Sequence, residues 1–85
     1  MITVKDICNR AKGCDKFAYM MLDRMKSDCL YYLGNGNRCE KYLWSGNVTE
    51  HIRDMKDIWN AFPKDGKPYW LTMEDIMNFE TEMIK

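Results

Sequence analysis

The chain has 85 residues, 46% of them apolar, and includes eight Met, five Tyr, three Trp and three Phe. This length allows one domain, near the size at which a single core becomes marginal, and the aromatic share makes that core feasible without metal or disulfides. Thirteen basic and thirteen acidic side chains cancel, which argues against a general nucleic-acid binder whose affinity rests on phosphate neutralisation.

The first element is announced by Thr3 with Asp6 three residues on, a capping-box arrangement, with Ile2 and Ile7 placed as a hydrophobic staple. It should end at Gly13, after Lys12 has complemented the helix dipole. Asp15 then caps a long helix running to about Leu33. Ala18, Met21/Leu22, Met25, Cys29 and Tyr32/Leu33 recur at intervals of three and four and give it one apolar face. Asp23 with Lys26, and Arg24 with Asp28, are spaced to pair along its polar side. Gly34 should stop this helix by adopting the left-handed conformation.

Residues 34–38, Gly-Asn-Gly-Asn-Arg, form a turn whose first four residues tolerate positive φ. Cys39 to Trp44 makes about one helical turn, broken by Ser45-Gly46. Asn47 with Glu50 at N3 opens the next helix. Val48, Ile52, Met55, Trp59 and Phe62 follow at spacings of 4, 3, 4 and 3, the clearest helical stripe in the chain. Pro63 ends it, and Lys64 to Tyr69 is a loop. Thr72 with Asp75 starts the last helix; Leu71 and Ile76 form its staple, and Ile76, Phe79 and Met83 its core face. The chain therefore reads as an all-α, compact bundle of four main helices plus a short helical turn near Cys39–Trp44, in one domain over residues 1–85.

Candidate chemistry is sparse. Cys8, Cys14, Cys29 and Cys39 lack C-x2-C or H-x3-H spacing, so no zinc site or other cofactor is expected and the thiols read as reduced. No signal-peptide pattern precedes them, and no run approaches the roughly 18 apolar residues of a membrane span. His51, the only histidine, is placed beside the stripe of its helix, not on it. A catalytic pair with Cys29 or Cys39 would need a positioned geometry that spacing does not supply, so the chain is read as a non-enzyme. The acidic Glu74, Asp75, Glu80 and Glu82 read as a solvated face.

Two readings attach to the segment from Tyr31 to Trp44. In one, the amides of the Gly34–Arg38 turn form an anion-binding nest with Arg38, Asn35 and Asn37 beside it; in the other, the turn only closes a helix. Tyr31, Tyr42, Trp44 and, further on, Trp70 are candidate interface anchors, because Tyr, Trp and Arg dominate binding hot spots. The alternative makes Trp44 and Trp70 clasps that pack loops onto helices. Residues 1–44 carry eight basic and five acidic side chains, and residues 45–85 carry five and eight. Such asymmetry is compatible with opposed partner faces, with a homodimer, or with ordinary solvated surfaces.

The order Asp28-Cys29, Tyr31-Tyr32-Leu33-Gly34-Asn35-Gly36-Asn37-Arg38, Leu43-Trp44 and Gly46-Asn47, followed by Met55, Trp59-Asn60-x-Phe62-Pro63 and Pro68-x-Trp70-Leu71-Thr72, resembles the large polyvalent protein-associated domains of phages and mobile elements. The resemblance covers roughly residues 20–84, with 1–19 as a variable N-terminal helix. Cys39 stands where His or Asn would be expected. The resemblance implies a mobile-element origin and a bacterial-host cytoplasm, and it carries no catalytic set. From that setting and the small size, the expected role is an anti-defence, anti-CRISPR-like inhibitor that binds a host protein such as a CRISPR effector. The alternative is a binder or sponge of a nucleotide or small anion at Gly34–Arg38.

Overall fold

The computed structural model describes residues 2–85. Four helices, α1 (Val4–Lys12), α2 (Lys16–Leu33), α3 (Val48–Ala61) and α4 (Met73–Met83), are joined by connectors, two of which contain short 3-10 turns at Glu40–Tyr42 and Lys64–Gly66. No strand occurs among the described residues, so the fold is the all-α bundle that the cap chemistry predicts.

The helices begin where local chemistry starts them. The hydroxyls of Thr3 and Thr72 accept the amides of Asp6 and Asp75, whose carboxylates accept the Thr amides in return. These bonds hold the Asp6 carboxyl below its ordinary range. At α3 the box is only half formed. Asn47 accepts the Glu50 amide, but the Glu50 carboxylate lies 3.8 Å from Arg53. Glu40, from the preceding 3-10 turn, accepts the Val48 amide at 2.9 Å instead.

Helix α3 is the hub and packs on α1, α2 and α4, while α2 also touches α1 and α4. Being covered on several sides, α3 buries more than a narrow stripe: Val48, Ile52, Met55 and Phe62 as the spacing predicts, and also His51, Asp54 and Ile58. His51 is thus a core residue, not a flanking one, and Trp59 sits at the core's edge. Helix α1 is integral, since Ile7 and Ala11 are fully buried. Helix α2 contributes Ala18, Met21, Leu22, Met25, Cys29 and Tyr32.

Two expectations for α2 fail. Its polar side chains reach across elements: Lys26 donates to the Trp70 carbonyl and Asp28 accepts the Trp44 amide at 3.1 Å, so neither pairs within the helix. Gly34 is not left-handed (φ −109°). The left-handed residues are Asn37 and Arg38 further along the turn, with Cys14 after α1 and Gly46 before α3.

Candidate functional site

The turn after α2 is built to satisfy that helix. The last carbonyls of a helix lack intrahelical partners, and here the Gly34 amide reaches Leu30 and Tyr31, the Gly36 amide reaches Tyr31, and the Arg38 amide reaches Tyr32. Gly36 has a steric reason: a Cβ there would stand 2.7 Å from the Tyr31 carbonyl oxygen and 2.9 Å from its ring. Four of the five turn amides, those of Gly34, Gly36, Asn37 and Arg38, are therefore donated to carbonyls of the chain itself.

Arg38 is engaged as well. Its guanidinium donates to the carbonyls of Glu82 (2.8 Å) and Met83 (3.1 Å), closing the last turn of α4, and it lies 5.6 Å from the Tyr32 ring centre. Asn35 and Asn37 are exposed beside it. What this arm presents outward is aromatic. Tyr31 from α2 and Tyr42 from the 3-10 turn meet edge to face at 5.4 Å and 87°, yet stay 45% and 50% exposed. Leu30, one residue before Tyr31, is also exposed, and Lys41 lies over the Tyr42 ring.

The other two anchors behave differently. Trp44 is half-buried against the core, its amide held by Asp28. Trp70 is half-buried on the opposite flank of α2, under Lys26. It helps line a groove of about 400 Å³ with Lys16, Tyr19, Met20 and Asp23. The structure thus brings Tyr31, Tyr42 and the Gly34–Arg38 turn together and leaves Trp70 apart. Residue-by-residue reading missed Leu30, Met20 and Tyr69, all exposed. The first two lie opposite the buried stripe of α2, and a helical projection of α2 would have found them.

Among the described residues, no hydrogen bond joins His51 to a cysteine. His51 Nε2–H donates to the Met25 carbonyl at 3.0 Å, and Nδ1 has no partner. Because a carbonyl only accepts, Nε2 carries the proton. Burial pushes the His51 pKa down, against the Met25 carbonyl, Asp28 and Asp54, which raise it. The Cys29 thiol lies 3.6 Å from Met55 Sδ, and burial, reinforced by Asp28, pushes it up to about 12. All four cysteines are free. No described helix is long and apolar enough to cross a membrane.

By its form this is a small all-α domain of four helices, with a closed helix-end turn and a solvent-facing tyrosine pair. The chain is a member of the large polyvalent protein-associated domain 11 family, which it matches over residues 15–83. It is thereby a phage- or mobile-element-associated domain, and the match begins at the N-cap of α2 and leaves α1 outside. No curated protein and no solved structure matches the chain.

Proposed function

We propose that this chain is a non-enzymatic accessory module that acts inside the bacterial host by binding a host defence protein and covering its working surface, as an anti-CRISPR-type inhibitor would. The observation that carries the reading is the Tyr31–Tyr42 pair. Two aromatic rings are fixed edge to face by the fold while about half of each remains accessible. Pre-organised aromatics lose little conformational freedom on docking, which is what makes them interface anchors. Family membership supports the mobile-element setting, and the reading takes a host defence protein as the target.

The nucleotide or anion alternative is less well served by the arm, because four of its five turn amides and Arg38 Nη2 are bonded within the chain. The two readings also differ in salt dependence. Phosphate-driven binding weakens steeply with ionic strength, whereas an aromatic contact does not.

The test is tagged capture from a phage-sensitive host carrying an active CRISPR system, together with phage plating on cells expressing the protein. Wild type should retain a defence protein and raise plating. Tyr31→Ala/Tyr42→Ala should lower both by about tenfold or more, as loss of two interface anchors does. Capture of nothing by wild type, or equal capture by the double variant, overturns the reading.

A further inference from the structure

We propose that the outer face of α2 is self-complementary and pairs two copies of this chain antiparallel, about a two-fold axis beside Met20. The face is defined by what α2 does not bury. Opposite its core stripe stand Lys16, Met20, Asp23 and Ser27, spaced 4, 3 and 4 apart and all exposed. Met20 is 60% exposed, an apolar side chain flanked on one helix face by a cation and an anion. Neither Lys16 nor Asp23 has an ion-pair partner among the described residues.

The order of charge decides the occupant and its orientation. Lys16 and Asp23 lie about two helical turns apart, roughly 10 Å, with Met20 between them. If a second copy packs antiparallel, Lys16 stands opposite Asp23 of that copy and Asp23 opposite its Lys16, while the Met20 region meets Tyr19 and Met20. A parallel arrangement in this register would oppose Lys16 to Lys16 and Asp23 to Asp23. A two-fold interface must be complementary to itself, and opposed charges of this kind fix register more than they add affinity.

The groove beside this face adds a receptor and an insert. It holds about 400 Å³ between α2 and Trp70, and the neighbouring Tyr69 is 93% exposed. An axis lying in the interface and perpendicular to α2 keeps the Trp70 flank on the same side in both copies. Tyr69 of each copy therefore faces the Lys16–Tyr19 end of the other's groove. The overlap of the two α2 helices ends near Asp23, so Tyr31 and Tyr42 stay uncovered and the pair would display two copies of the aromatic patch.

Sedimentation equilibrium from about 10 μM to about 1 mM spans the range of weak specific dimers. Wild type should associate reversibly, and more weakly as salt rises. Lys16→Asp and Asp23→Lys each oppose like charges in the pair and should weaken association about tenfold or more. An equimolar mixture of the two variants should associate again, because each presents the charge that the other needs. Circular dichroism checks that these exposed substitutions keep the fold. Tyr31→Ala/Tyr42→Ala should dimerise like wild type, which separates this inference from the partner-binding role. A wild type monomeric at 1 mM, variants that dimerise unchanged, or a mixture that stays monomeric would each overturn it.

Discussion

The two longer connectors of this bundle solve one problem in opposite ways. Both follow a helix, contain a 3-10 turn and use a cation to satisfy carbonyls at a helix end. In the α3–α4 connector the solution is local. Pro63 has no amide to give to the Trp59 carbonyl four residues earlier, so the Lys67 ammonium donates to Trp59 (3.1 Å) and Phe62 (2.7 Å) and rests 4.5 Å over the Trp59 ring. Apart from the exposed Tyr69, the aromatics around it turn inward: Trp59 donates to the Leu71 carbonyl, and Tyr19 stacks on Phe62 at 4.4 Å. In the α2–α3 connector the cation is sent away. Arg38 closes the end of α4, more than forty residues on, and its neighbours Tyr31 and Tyr42 are left at the surface. The first connector spends its side chains on stability; the second fastens a remote terminus and keeps an aromatic face free.

Removing each cation should break this comparison most visibly. Lys67→Met leaves two carbonyls at the end of the central helix without a donor and should cost about 2 kcal/mol, read as a lower urea midpoint with the slope retained. Arg38→Ala should cost about 1 kcal/mol, since it acts at the last turn of a helix less central than α3. Hydrogen exchange sharpens the contrast. The Lys67 variant should exchange faster throughout the core, the Arg38 variant only in the last turn of α4. Equal and global effects of the two would show that the connectors are not differently used.

How much of this was legible depended on distance along the chain. Thr3 with Asp6 and Thr72 with Asp75 were readable because both partners lie within one turn and the cap needs nothing else. Glu40 capping Val48, Lys26 reaching Trp70 and Arg38 reaching α4 were not, because no spacing rule links residues that only the tertiary fold brings together. Gly34 misled for a related reason. Composition marked the turn, but Tyr31's carbonyl and ring, not a positive φ, explain why glycine sits at position 36. The outward tyrosine pair was half legible: Tyr31 and Tyr42 were candidates by type, and only the fold set their rings together.

His51, buried in the core, offers a smaller, pH-dependent test. Helix α3 presents it to the Met25 carbonyl of α2, while Asp54, on the same face, accepts the Ser45 hydroxyl of the α2–α3 connector at 2.8 Å. A histidine whose folded pKa is depressed binds its proton more readily when unfolded, so its stability contribution is complete above the unfolded value of 6.5 and declines as pH falls below it. Urea stability should be flat near pH 8 and fall between pH 6.5 and 5, with a slope of at most about 1.4 kcal/mol per pH unit for one proton. Asp6, held down by Thr3, titrates below this window. His51→Gln keeps an N–H for Met25 and removes the titration, so it should flatten the slope. An unchanged slope in that variant would assign the pH dependence elsewhere.

The smallest effect probes why the α3–α4 connector stays closed against the α1–α2 turn. Gly66 has no positive φ but has no room either: a Cβ would stand 2.5 Å from Cys14 Sγ and 3.0 Å from Pro63 Cγ. Its carbonyl accepts the Tyr19 hydroxyl at 2.6 Å. Cys14 itself is left-handed, φ 55°, a conformation that costs a non-glycine residue about 1 kcal/mol. Gly66→Ala should therefore destabilise by about 1 kcal/mol, chiefly through the Cys14 contact. Cys14→Gly removes both the sulfur and the backbone strain, and should be neutral or stabilising by up to about 1 kcal/mol. Combined, the two substitutions should cost less than the sum of the separate effects, with Pro63 leaving a remainder. A double-mutant cycle by urea denaturation measures that coupling. Strict additivity would mean that the connector moves away from Cys14 at no cost, and that its closure rests on Lys67 and the Tyr19 bond alone.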